Sequence, residues 1–238
     1  MVTFVFAVYF QQAVVGDTVR ATEMWGIALA ISALGVAILG PILGAAVDAG
    51  MQRKPWLLGA TVLMVLTCAG LWFATPDQDS IWLVLTLVAL GNFGFELGMV
   101  FYNAMLPVLA ERGRLGRISG WAWALGYAGG LACLTVALFV LIRAEPPPFG
   151  LDLAAQEPVR AVALLVALWL ILFGWPLFAF TSENSGEALP VGAALREGIA
   201  ALVGTLRNIR NHAQIVRFLL ARMLYIDGLN TLFAFGGI

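Results

Sequence analysis

Residues 91–130 read GNFGFELGMVFYNAMLPVLAERGRLGRISGWAWALGYAGG. The run opens in an apolar helix that still carries Asn92, Glu96 and Asn103. It then crosses a short loop holding Arg112, Arg114 and Arg117, and enters a second apolar helix set with Gly120, Gly126, Gly129 and Gly130. Two membrane helices joined by a basic loop are the simplest reading. Pro107 is expected to close the first of them, and the glycines of the second predict close packing against a neighbouring helix, since a missing side chain lets backbones approach.

Composition fixes the solvent. The 238 residues are 61% hydrophobic and only 11% charged, with a mean hydropathy of +0.93. So little polar surface does not cover a water-soluble globule, whereas hydrocarbon demands none. The chain reads as an all-α, multi-pass membrane protein with the lipid bilayer as its first partner. Its 13 basic and 14 acidic residues give no whole-chain attraction to nucleic acid, and none is expected to bind. Cys68 and Cys133 both fall in apolar runs as small hydrophobes, which leaves neither a disulfide framework nor a metal site. The single histidine, His212, cannot build a metal cluster. No cofactor and no catalytic set is expected.

Working outward, apolar runs delimit the other spans. Val2 to Val15 extends only about 21 Å at 1.5 Å per residue, against a hydrocarbon core of roughly 30 Å, so the first helix reads as cut short within a longer parent sequence. Spans two to six are expected over residues 25–46, 56–75, 81–106, 118–142 and 159–180, with Gly35 and Gly40 thinning the second and Pro41 bending it. Residues 76–80 form a polar turn. Trp25, Trp56, Trp72 and Trp82 sit near span ends, where the headgroup layer suits an amphipathic ring. Beyond Thr181, the residues Val191, Leu195, Ile199, Leu202, Leu206 and Ile209 recur at three- and four-residue steps, predicting an amphipathic helix on the membrane face. A seventh span begins near Gln214 and is still apolar at Ile238, so the far end reads as cut too. The organisation expected is a bundle over 1–180, a linker over 181–213, and one further helix over 214–238.

Basic residues set the orientation. Arg53 and Lys54 follow span two; Arg112, Arg114 and Arg117 follow span four; Arg196, Arg207 and Arg210 follow span six. The odd-numbered loops hold only Arg20 and Arg143, with Arg160 at the start of the next helix. The even-numbered loops are therefore expected in the cytoplasm.

Charged groups inside spans are the functional candidates. A charge at mid-bilayer costs roughly 2.5–3.5 kcal/mol on insertion scales, so Glu96, Arg222 and Asp227 should face protein or water rather than acyl chains. Asn92, Glu96 and Asn103 lie four and seven residues apart, along one helical stripe. Asp227, Asn230 and Thr231 share a face by the same arithmetic, and the first helix offers Tyr9 and Gln12. The alternative use of such groups is to pair helix with helix, for instance Glu96 with Arg222.

Three passages carry a family resemblance: GPILGAAVDAGMQRKPW from Gly40, VFYNAMLPVLAERGRLGRISGWAWALGYAGG from Val100, and LYIDGLNTLFAFGGI from Leu224. The chain resembles the major facilitator superfamily and, within it, the vacuole-effluxer branch of autophagy-related amino-acid effluxers and their bacterial relatives. The first passage matches the superfamily's loop between helices two and three, with Gly44, Asp48, Arg53 and Lys54 in the gating roles. It departs in placing Ala49 where a basic residue usually follows the aspartate, and its basic pair comes one residue late. Asp48 is expected within hydrogen-bonding reach of Arg53.

The resemblance implies a six-helix N-terminal bundle, its first helix truncated, plus the first helix of a second bundle. Helices one, four and seven would then line a central cavity, placing Tyr9, Gln12, Asn92, Glu96, Asn103, Arg222, Asp227 and Asn230 beside a small-molecule solute, with amino-acid efflux as the best guess. Glu96 or Asp227 is the candidate carrier of a coupling proton. The missing second bundle would complete the cavity, and a bacterial inner membrane would be the location. Two rivals stand beside this reading: a membrane-embedded enzyme, for which the scattered serines and lone histidine supply no acid/base set, and a non-transporting sensor or assembly subunit.

Overall fold

The structure, a computed structural model, describes residues 2–109, 112–181, 189–208 and 213–235, and within these the chain is helical without strands. Helix α1 (Val2–Tyr9) continues as a wider π-turn over Phe10–Val15 that ends on Gly16. Helix α2 (Thr18–Asp48), α3 (Lys54–Gly70, extended by a tight turn at Leu71–Phe73), α4 (Ile81–Leu109), α5 (Leu115–Val136, extended by a π-turn at Ala137–Ile142) and α6 (Glu157–Phe180) follow. A shorter α7 (Val191–Arg207) and α8 (Ala213–Phe235) complete the described chain. Among the described residues, α2 to α6 are the five helices long and apolar enough to cross a membrane, while Val5–Val15 is a shorter apolar helix. The protein is an integral, multi-pass membrane protein of all-α fold.

Side-chain placement on α2 shows what surrounds it. Ala21, Trp25, Ala28 and Ser32 are buried, at steps of four, three and four. Ile27, Ile31, Leu34 and Ile38 follow the same steps on another face and are 53–65% exposed. A wholly apolar exposed stripe on a long helix suits hydrocarbon or another helix, whereas in water it would drive association.

Two helix boundaries differ from expectation. Helix α2 begins at Thr18 rather than near residue 25, because Asp17 caps it: the carboxylate accepts from the amides of Val19 (3.0 Å) and Arg20 (3.1 Å). Trp25 is consequently inside the bundle, fully buried and 5.6 Å from the Phe10 ring, with its ring packed on protein instead of facing outward. Pro107 does not end α4, which runs to Leu109, just as α2 continues through Pro41.

Among the described residues two larger cores hold the bundle, beside a smaller cluster of Ala137, Leu141, Ala161 and Val162 between the end of α5 and α6. One joins the α1 π-turn, α2, the end of α3 and the start of α4 through Phe6, Phe10, Trp25, Leu71 and Val84. The other lies at the opposite end of α2 and α4, around Val47, Met51, Leu57, Phe101, Met105 and, from α7, Ala194. Helix α3 packs on α4 and α6, and α2 packs on α4 and α7. Helix α5 is more marginal: Trp121, Trp123, Leu125, Tyr127 and Leu131 are all more than half exposed, and only Cys133, Ala137 and Leu141 towards its end are buried.

The glycines expected to pack α5 do not do so among the described residues: nothing lies within 4 Å of where a Cβ would stand on Gly120, Gly126, Gly129 or Gly130. The close approaches are elsewhere. A Cβ on Gly70 would come 3.0 Å from Leu87, and one on Gly91 3.0 Å from Thr67, which draws α3 and α4 together. Small residues act where the helices meet, and α5 is not one of the tightly packed pairs.

Candidate functional site

The loop between α2 and α3, which the sequence marks through Gly44, Asp48, Arg53 and Lys54, is built into the second core. Gly50 adopts φ +116°, a conformation that side chains resist, and its carbonyl accepts the amide of Leu189 at 3.3 Å. Met51, next along, is 2% exposed. Lys54 starts α3 and sends its Nζ 2.6 Å to the carbonyl of Thr181, at the C-terminal end of α6. A cation there meets the negative end of the helix dipole and a carbonyl that has no partner within the helix. Trp56 stacks on Phe101 of α4 at 6.1 Å. Asp48 is exposed, so the structure places it on the surface of the loop. Gly44 lies against Val100 of α4, whose methyl would be 3.7 Å from an added Cβ.

The polar stripe of α4 divides along its length. Asn92 Nδ2 donates to Ser32 Oγ of α2 at 3.0 Å, so this amide joins two helices. Glu96, one turn on, is partly buried, and Asn103 is exposed. Ser32 is itself 4% exposed and was not singled out by the sequence; its signal was its place on the buried 21–25–28–32 stripe.

Tyr9 and Gln12 lie at the other end of the bundle. The Tyr9 hydroxyl donates to the Ala74 carbonyl at 2.7 Å, and Gln12 is exposed. Both line a half-open cleft of about 610 Å³ whose walls also include Val5, Pro76, Ile142 and Gln156. Near it, Arg160 of α6 is 7% exposed: its Nε donates to the Trp72 carbonyl at 2.8 Å, its Nη1 donates to the Ala155 carbonyl at 3.4 Å, and its guanidinium lies 5.0 Å over the Trp72 ring. The guanidinium thus closes the end of α3 by hydrogen bonding and by cation–π contact. Sequence reading used Arg160 only for orientation and missed this role.

On α8, Arg222 and Asp227 are exposed, and the Asn230 side chain lies outside the described residues, as does His212. The structure therefore brings Asn92 to α2 and Tyr9 to the end of α3, while Arg222 and Asp227 stay exposed on α8. Among the described residues no group of three or more His, Cys, Asp or Glu is placed to hold a metal ion.

Comparison with known proteins settles the lineage. Residues 11–116 and 111–236 match the family described as vacuole effluxer Atg22 like. The chain belongs to this family, within the major facilitator superfamily. An uncharacterized MFS-type transporter, YxiO of Bacillus subtilis (strain 168), is 28% identical over 241 residues, covering 97% of this chain and 53% of that protein. This Atg22-like chain thus spans about half the length of the curated relative. No solved structure matches it.

Proposed function

We propose that this Atg22-like chain forms the first bundle, the linker and the start of the second bundle of a secondary transporter that moves a small polar solute, amino acids by preference, by alternating access. The observation that carries the reading is the polar stripe of α4. Asn92 and Glu96 are held within a bundle whose outer faces are apolar, and the Asn92 bond to Ser32 orients that stripe towards α2. Buried polarity is costly in lipid and is characteristic of solute and ion pathways near the bilayer midplane. The family match and the transporter name of the relative support the same reading.

In this account Glu96 or Asp227 carries a coupling proton, the Arg53/Lys54 end faces the cytoplasm of a bacterial inner membrane, and the second bundle completes the cavity. Nothing covalent happens to the solute. Flux of radiolabelled amino acids into proteoliposomes, with and without a pH gradient, tests it in the intact protein. Uptake above that of protein-free liposomes supports the proposal, and its absence across a mixed amino-acid pool removes it.

A further inference from the structure

We propose that α7 is the positioning element for the Gly44–Lys54 gating loop, with Gly198 as the residue that allows it to seat. A Cβ on Gly198 would stand 2.6 Å from the backbone carbon of Ala45 and the backbone nitrogen of Ala46. These are main-chain atoms of α2, so no side-chain rotation relieves the overlap and only glycine permits the crossing. Ala194, one turn earlier on the same face, is fully buried with Val47, Met51 and Phe101. Just before α7 the Leu189 amide bonds to the Gly50 carbonyl at 3.3 Å, and before that Lys54 holds Thr181 at the end of α6. The gating loop is therefore fastened to the chain after α6 at three separate places, two of which need glycine. Gly192 and Gly204 of the same helix have nothing within 4 Å of a Cβ, so the requirement is local to the crossing.

The consequence rests on the transporter reading. A loop clasped in this way travels with the first bundle when the bundles rock, and α7 travels with it. The sequence pattern predicted a helix lying on the membrane face; in the structure its small-residue edge is spent on α2.

The test reads the loop directly. In the intact protein with Cys68→Ala and Cys133→Ala, a cysteine is introduced by Met51→Cys, at a site that is 2% exposed under α7. Adding Gly198→Ala should raise its rate of maleimide labelling at least about tenfold. Adding Gly192→Ala or Gly204→Ala should leave the rate unchanged, which separates the crossing from a general effect of alanine in the helix. Equal labelling in Gly198→Ala, with helicity and monodisperse elution retained, overturns the proposal. Should Gly198→Ala fail to fold, spin labels at Gln52 and Ala200 of the intact protein, again with Cys68→Ala and Cys133→Ala but with Gly198 kept, decide the matter: one narrow distance supports a seated helix, and two populations overturn it. None of these readings needs flux, so a protein that shows the seat but no transport would sink the transporter reading and leave the seat standing.

Discussion

Lys54 and Thr181 are 127 residues apart in the chain, and the Nζ of the first lies 2.6 Å from the carbonyl of the second. One lysine thus starts α3 and closes α6, so the loop between α2 and α3 also ties together two spans. Replacing it by methionine keeps the aliphatic stem and removes the charge. Lys54→Met should cost about 1.5 kcal/mol, the low end for a hydrogen bond to a charged group because this one is only part-buried. Thermal unfolding in detergent checks this, and an unchanged midpoint would mean the contact contributes nothing.

Arg160 makes the corresponding closure at the other end of α6. Its forked donors and its delocalised cation over the Trp72 ring are both features that lysine does not reproduce. Arg160→Lys should therefore recover less than half of the stability lost in Arg160→Met, itself on the order of 1.5–3 kcal/mol. Full rescue by lysine, measured by the same unfolding assay, would show that charge alone matters.

Much of this fold was legible from composition and periodicity, because a bilayer leaves few alternatives for long apolar runs: α3, α4 and α6 begin within two residues of expectation. What was not legible depended on contacts between distant segments. Trp25 reads as an interfacial ring until the Asp17 cap is known to start the helix earlier, and Gly198 reads as one more glycine until its neighbour is seen to be backbone. Conversely, the α5 glycines look like a packing seam by their spacing, but spacing names no partner. The polar stripe on α4 was visible residue by residue, and its use by Ser32 was not, since a serine in an apolar run carries no mark of what faces it.

The Asn92–Ser32 bond predicts a measurable coupling between α2 and α4. A double-mutant cycle with Asn92→Ala and Ser32→Ala should give an interaction energy of about 0.6 kcal/mol and no more than about 1.7, the span for hydrogen bonds between membrane helices. A coupling of zero would show that the two side chains act independently.

The turn before α4 should be sensitive to acid. Asp77 is held below the usual carboxylate range by the Thr75 side chain first, and then by the amide and hydroxyl of Ser80, the amide bonding at 3.1 Å. A depressed folded value means that the carboxylate supports the turn above its unfolded titration and that this support is lost as pH falls through the folded one. Protease nicking of residues 75–81 should accordingly increase only at strongly acidic pH, relative to a control loop. Asp77→Asn should be nicked equally at all pH values, and a wild-type turn that loosens already near neutrality would contradict the assignment.

The central claim, that the polar groups of the bundle serve a moving solute and a coupling ion, is tested most directly by flux across a pH gradient. The intact protein is reconstituted beside Glu96→Gln and Asp227→Asn variants, each supplied with the same radiolabelled amino-acid pool. The account predicts gradient-stimulated uptake in the parent and its loss, by about tenfold or more, in at least one variant that retains gradient-independent exchange. Uptake no greater than in empty liposomes, or gradient stimulation unchanged in both variants, would contradict it.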